Sequence, residues 1–231
     1  MNKLKITDVY FDLDHTLWDF EANSKLAFEK TLKKHKIPVC INNFLKIYEP
    51  INHRFWEDYS KGLKTKEEVK YNRLKLTFKH LQIPITTNRI KILANEYLNF
   101  LKKEKNLIEG TVEILNYLKD RYNLHILTNG FKEIQKEKMK NSGISHFFKY
   151  CISSEEAGNL KPHPGVFKYA LKRANTFPHQ SVMIGDNLKS DILGARNVGM
   201  HVIHYDPLCQ NNIDFKIIPK VKILLEIKDI L

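Results

Sequence analysis

The sequence predicts an α/β fold: a doubly wound parallel sheet whose chain is interrupted by an inserted all-helical segment. Three observations carry this. From Glu109 onward, short β-branched and aromatic runs alternate with helical stretches, the grammar of strand–helix–strand units. A further strand-like run, Ile6 to Leu13 (ITDVYFDL), stands apart near the start. Between them, Leu17 to Lys105 is helical in periodicity throughout and holds 19 Lys/Arg against 10 Asp/Glu, a net of +9 out of +12 for the whole chain. The shift in composition and the shift in periodicity coincide, so the expected division is 1–16 with 106–231 as the sheet-bearing core and 17–105 as a helical domain. At 231 residues the length sits between one domain and two, and 42% hydrophobic with 28% charged residues excludes a disordered or low-complexity chain.

Taken in order, the opening run has the character of a buried strand and ends in Asp12, Asp14 and Thr16. In the insertion, Phe44, Ile47, Tyr48, Ile51, Phe55 and Tyr59 mark one face of a helix, with a kink expected at Pro50. Thr65 and Glu68 have the spacing of a capping box before the next helix, and Ile90, Leu93, Ala94, Tyr97 and Leu101 stripe another. The aromatic stripes are read as core, Trp56 included. A helix through Val112, Leu115 and Leu118 follows, then a strand from Leu124 to Leu127 ending in Thr128, Asn129 and Gly130. The alternation continues with a helix near Lys132 to Asn141, a strand Tyr150 to Ser153, a helix Gly165 to Ala174, a strand Ser181 to Ile184, a helix after Asp191, and a strand His201 to Tyr205.

In such sheets ligands gather beyond the carboxyl ends of the strands. Polar residues lie there on three of the predicted strands: Asp12, Asp14 and Thr16; Thr128 and Asn129; Asp186 and, after a short loop, Asp191. One crevice can hold them all. Lys161 belongs to Lys161-Pro162-His163-Pro164, whose prolines stiffen a loop entering a helix and fix where the amine points. His15, His163, His201 and His204 have no metal-site spacing, and Cys40, Cys151 and Cys209 are scattered like ordinary reduced thiols. Asp19, Glu155 and Glu156 read as caps or surface groups; Gly194, Ala195 and Gly199 read as helix-packing and helix-end residues.

Phe11-Asp12-Leu13-Asp14-His15-Thr16-Leu17, Leu127-Thr128-Asn129-Gly130, Lys161-Pro162 and Gly185-Asp186-Asn187-Leu188-Lys189-Ser190-Asp191 resemble, in order, the four motifs of the haloacid dehalogenase-like hydrolase superfamily. The resemblance spans the chain and implies a Rossmann-like core, with the helical insertion as the family's first-position cap. It implies Asp12 as the nucleophile and Asp14 as the general acid and base. It also implies a metal held by the Asp12 side chain, the Asp14 backbone carbonyl and Asp186, with Asp191 behind them or holding Lys161. Thr128 and the amide of Asn129 would bind phosphate oxygens while Lys161 neutralises charge. The chemistry agrees: phosphoryl transfer needs an in-line nucleophile, an acid for the leaving oxygen and positive charge around the transferred group. Carboxylates facing a phosphate repel it, so a hard divalent cation is expected, and Mg²⁺ suits oxygen ligands.

Dehalogenases of this family lack a carboxylate two residues after the nucleophile, so Asp14 argues against dehalogenation, whereas a phosphonatase would need a cap lysine forming a Schiff base. Phosphomonoester hydrolysis is the economical expectation. The stretch FDLDHTLWDFEANS also looks like a subgroup of nucleoside 5′-monophosphatases; a sugar-phosphate or phosphoglycolate phosphatase is the alternative. Trp18 and Phe20, just past the first motif, are expected to line the substrate cleft. The expected partner is therefore a small phosphorylated metabolite, a nucleotide by preference, handled by a monomer or weak homodimer. A pI of 9.4 raises nucleic-acid binding as a rival, but no nucleic-acid motif supports it. No apolar run approaches the ~18 residues that span a bilayer. Asp8, Asp12 and Asp14 arrive before any signal-type stretch, so a cytoplasmic location is expected.

Overall fold

The computed structural model describes residues 6–209 and 218–231. In chain order its elements are β1 (Asp8–Phe11), α1 (Phe20–Lys34), α2 (Ile41–Ser60), α3 (Lys66–His80), α4 (Thr87–Leu101), α5 (Thr111–Lys119), β2 (Asn123–Thr128), α6 (Lys132–Asn141), β3 (Tyr150–Ser153), α7 (Ser154–Ala157), α8 (Pro164–Ala174), β4 (Ser181–Gly185), α9 (Gly194–Arg196), β5 (His201–Tyr205) and β6 (Lys220–Val221). Two compact units result: Met1–Phe20 with Lys105–Leu231, and Glu21–Glu104.

The first unit is built on a six-stranded sheet in the order β3-β2-β1-β4-β5-β6, parallel throughout. Every residue of β1 and of β4 is buried, which is why neither alternates in sequence: central strands of a parallel sheet are covered on both faces. Tyr10 and Met183, neighbours in register, join Val166, Phe167 and Ile192 in one core cluster. Gly194 belongs to this packing, because a Cβ there would lie 2.8 Å from the Phe167 ring. The strand order reverses at β1, with β2 and β3 to one side and β4, β5 and β6 to the other. The carboxyl ends of β1 and β4 therefore flank the point where a doubly wound sheet opens its crevice.

In the second unit, the ring of Phe28 stacks on Tyr97 at 3.9 Å and meets Phe44 and Tyr48 at 4.7 and 4.5 Å. The α4 stripe is buried as expected, and Thr65 with Glu68 forms the capping box that starts α3. Among the described residues no helix is long and apolar enough to cross a membrane.

Several elements differ from the sequence expectation. On α2 only Phe44 and Tyr48 are fully buried, while Ile51, Phe55, Trp56 and Tyr59 are half-exposed, so the core stripe covers only the first half of that helix. Pro50, where a kink is expected, lies inside this continuous helix. Val112 is exposed, because α5 turns Ile114, Leu115 and Leu118 inward instead. The turn after Asp186 is a π-helical segment, Leu188–Leu193, started by Asn187, whose side chain accepts from the backbone N–H groups of Lys189 and Ser190. Strand β6, only two residues long, offers no alternation for sequence reasoning to detect.

Candidate active site

Asp12 is the first residue beyond β1 and Asp186 the first beyond β4, two adjacent strands in register at Phe11 and Ile184. The Asp12 N–H donates to the Ile184 carbonyl at 2.9 Å, so the sheet ladder itself fixes the first carboxylate against the second. Asp191 is brought back to them by the π-helical turn, and its carboxylate accepts from the Asn187 N–H at 3.1 Å and the Ser190 hydroxyl at 3.2 Å. A Cβ at Gly185 would come within 2.3 Å of Asp191 Oδ2, so the missing side chain is what lets that carboxylate fold in. Ligand oxygens of Asp12, Asp186 and Asp191 all lie within 4.8 Å of one another. Thr16 joins the set by donating to Asp186 Oδ1 and accepting the Asp186 N–H, both at 3.1 Å.

Lys161, 1% exposed, threads into this cluster: its Nζ is 2.6 Å from Asp12 Oδ1, 2.7 Å from Asp191 Oδ1 and 2.7 Å from the Leu127 carbonyl. One ammonium faces three carboxyl groups, so full ionisation of all three leaves an excess of two negative charges in a buried site. Burial pushes the Asp12 carboxyl up to about 8, Lys161 working against the rise and Asp191 and Asp186 adding to it. Burial and then the Asp191 charge push Asp186 up to about 7. Burial alone would lower the Lys161 ammonium, but Asp12 and Asp191 outweigh it and hold the amine above its ordinary range. The donor set is all oxygen, which suits a hard cation.

Thr128 ends β2, and its hydroxyl oxygen accepts from the Gly130 N–H at 3.0 Å and the Gln135 carboxamide at 2.9 Å. With both lone pairs engaged, its O–H is left to act as donor. The Asn129 side chain is committed elsewhere. It donates to the Lys161 carbonyl at 2.9 Å and accepts the Lys161 N–H at 2.8 Å, so it ties the lysine loop to the end of β2. Any anion contact by this residue falls to its backbone amide.

The Asp14 carboxylate stands apart from the three-carboxylate cluster and is gripped by α6. Lys138 Nζ lies 2.6 Å from Oδ1 and Gln135 Nε2 lies 2.9 Å from Oδ2. Sequence reasoning missed both residues. The available signal was that α6 (KEIQKEKMKN) carries only Ile134 and Met139 as apolar side chains, so a helix packed on this sheet must also bury polar ones. Trp18 corrects an expectation: it is fully buried, with the Lys138 ammonium 4.1 Å from its ring, so it supports that lysine rather than lining an open cleft. Phe20 is half-exposed and packs against the exposed His15, 4.9 Å between ring centres. Glu156 proves to be a cap, completing the Ser153 capping box and pairing with Lys132. His163 caps α8, and His204 meets the Asp186 carbonyl at 2.9 Å.

The chain is similar to several known proteins. YfnB, a HAD-hydrolase of Bacillus subtilis, is 30% identical over 214 residues, covering 92% of this chain and 89% of its own. Pyrimidine 5′-nucleotidase PynA of Streptococcus pneumoniae is 31% identical over 199 residues, 85% of this chain and 82% of its own. Glyceraldehyde 3-phosphate phosphatase of Methanothermobacter thermautotrophicus is 29% identical over 229 residues, 95% and 98%. The crystal structure of magnesium-bound YfnB superimposes with a TM-score of 0.88 at 29% identity, covering 98% of this chain and 99% of that one. The family description "haloacid dehalogenase-like hydrolase" matches residues 9–205, and the chain belongs to that family.

Proposed function

We propose that this hydrolase is a Mg²⁺-dependent phosphomonoesterase that works through an aspartyl-phosphate on Asp12, with nucleoside 5′-monophosphates as its substrates. The observation that carries the reading is the gathering of Asp12, Asp186 and Asp191 within 4.8 Å of one another beside a single ammonium, Lys161, which leaves two negative charges over once all three are ionised. A single divalent cation offsets that excess, and oxygen donors on neighbouring strands are the ligands Mg²⁺ takes. Asp12 and Asp186, with the Asp14 backbone carbonyl, would hold it, and Asp191 would act from behind by fixing Lys161. When bound, the ion supplies neutralisation of the carboxylates and polarisation of the phosphoryl oxygens.

The remaining chemistry belongs to the chain. Lys161, 2.6 Å from Asp12, favours the ionised nucleophile against the rise that burial imposes and offsets charge on the incoming phosphoryl group. A carboxylate oxygen of Asp12 forms a bond to phosphorus; the ester P–O bond breaks, and its electron pair leaves on the substrate oxygen, which takes a proton from Asp14. Water then bonds to phosphorus and gives its proton to Asp14. The acyl-phosphate P–O bond breaks, releasing inorganic phosphate and the Asp12 carboxylate. The Thr128 hydroxyl, held as a donor, and the Asn129 amide bind phosphoryl oxygens.

Similarity to PynA and the FDLDHTLWDFEANS stretch support a nucleotide substrate, with Glu21–Glu104 as a cap that selects it. Similarity to a triose phosphate phosphatase over nearly the whole chain favours a second reading, a small sugar phosphate. Turnover ranked across nucleoside monophosphates, triose and sugar phosphates and phosphoglycolate separates them: nucleotides should lead, and a lead by any other class rejects the nucleotidase assignment. Asp12→Asn should abolish hydrolysis of an aryl phosphate in Mg²⁺, and full activity in that variant rejects the nucleophile.

A further inference from the structure

Asp14 is held at both carboxylate oxygens by side chains of one helix. Gln135 and Lys138 are three residues apart on α6 and so project from the same helix face toward one target. The Gln135 amide spends both of its hydrogens: one goes to Asp14 Oδ2 and the other to Thr128 Oγ1, each at 2.9 Å. A single side chain thus ties the end of β2 to the residue two positions beyond Asp12. Lys138 is 2% exposed, a burial that an ammonium tolerates only when its charge is met. Its Nζ is 2.6 Å from Asp14 Oδ1 and stands 4.1 Å from the Trp18 ring and 5.4 Å from the Phe20 ring, so aromatic faces fix the direction from which it reaches the carboxylate. Gly130 completes the arrangement, since a Cβ there would lie 2.4 Å from the Gln135 amide nitrogen.

We propose that Lys138 and Gln135 are positioning residues: together they set the rotamer of Asp14, so that its carboxyl meets the leaving oxygen in the first step and the attacking water in the second. The inference rests on the phosphatase reading above and deepens it. Lys138 acts through Asp14, and Gln135 acts through Asp14 and, by its second hydrogen, through Thr128. The cost of losing them must therefore depend on how much the leaving group needs a proton.

The test is rapid-quench kinetics in Mg²⁺ with two substrates, 2,4-dinitrophenyl phosphate, whose phenolate leaves unprotonated, and the alkyl phosphate that the wild type turns over fastest. Lys138→Met keeps the length that packs on Trp18 and removes the charge. It should slow the first turnover of the alkyl ester about 100-fold, the scale of general acid catalysis, and that of the aryl ester only a few-fold. Because the second step also uses Asp14, phosphorylated Asp12 should then accumulate from the aryl ester, visible as one added phosphoryl group in the intact mass. Lys138→Arg should recover much of the alkyl rate. Gln135→Leu should add, through Thr128, a loss common to both esters, but the alkyl ester should still lose more than the aryl one, and that ratio keeps the test open should Lys138→Met fail to fold. Equal losses on both substrates, or no loss on either, overturn the positioning role. A wild type that forms no phosphoenzyme and hydrolyses neither ester overturns the phosphatase reading itself.

Discussion

Raising the pH of the metal-free protein from about 5 to about 8 forces a proton out of the cluster formed by Asp12, Asp186 and Asp191. Both perturbed carboxyls are raised, from 3.8 to about 8 and to about 7. Above 3.8 the folded state therefore binds a proton that the unfolded chain has released. The stability this confers is fullest below that value and is lost as pH climbs through 7 to 8. Three pH units at 1.36 kcal/mol each come to about 4 kcal/mol for one proton. Asp12 and Asp186 repel the same charges, so only one such quantity is counted. For a chain of this length it corresponds to a fall in Tm of about 8–16 °C. The chain's net charge of +12 shrinks over the same interval, which alone would raise Tm, so a fall isolates the cluster. The assay is calorimetry across this range in EDTA, repeated with saturating Mg²⁺ and with Asp186→Asn. Mg²⁺ should flatten the slope by supplying the missing charge, and the substitution should flatten it by removing one carboxylate. A metal-free Tm that stays level or rises, or an undiminished slope in Asp186→Asn, would refute the reasoning.

Two further substitutions probe the charge arrangement. Gly185→Ala sets a methyl within 2.3 Å of Asp191 Oδ2, and a backbone-fixed Cβ leaves the carboxylate no course but to swing off Lys161. Mg²⁺ affinity, read from the Tm rise it produces, and kcat should each drop about 10–100-fold, the range for residues that orient metal ligands; wild-type values for both would contradict this role. Arg73, 3% exposed in the helical unit, donates to Asn52 at 2.5 Å and lies 5.7 Å from the Tyr48 and Tyr97 rings, with no carboxylate in ion-pairing range among the described residues. Arg73→Met removes an uncompensated charge, while Asn52 keeps the Tyr48 hydroxyl at 3.2 Å, so unfolding free energy should hold or rise by about 1–4 kcal/mol. A loss above about 2 kcal/mol in urea melts would show that the guanidinium stabilises the unit.

Legibility in the sequence followed the range of the interactions. Strands such as Asp8–Phe11 and Ser181–Gly185 were readable because burial on both faces demands continuous apolar runs, and the Thr65 capping box because its partners are three residues apart. The acidic and hydroxyl residues at the strand ends were readable because topology alone dictates where strand ends gather. What escaped depended on side-chain direction. Lys138 and Gln135 sit in a stretch of mixed charges, KEIQKEKMK, where solvent-exposed and buried lysines look alike until the register of α6 on the sheet is known. Trp18 was misjudged for the same reason, since nothing near it in sequence reveals an ammonium resting on its ring. Asn129 has the composition of an anion ligand, yet its carboxamide serves the Lys161 backbone 32 residues away.

The buried cations separate architecture from chemistry. Removing an ammonium or guanidinium from water costs several kcal/mol, so a fold selected for stability alone would hold none. Here Lys161 meets Asp12 and Asp191, and Lys138 meets Asp14, while Arg73 meets no carboxylate among the described residues. The Lys161 contact to Asp12 spans 149 positions, so it exists only once β1 and β2 are paired and the loop after α7 is in place. The unfolded chain cannot offer these charges to one another, and the folded chain cannot avoid doing so. Concentrating three carboxylates around one amine therefore weakens the metal-free fold, and on the proposed mechanism the same concentration binds the cation that lets Asp12 attack phosphorus. On the proposed mechanism the stability that Mg²⁺ restores and the activity it supports measure one electrostatic excess, and they should rise and fall together across substitutions at Asp186, Gly185 and Lys161.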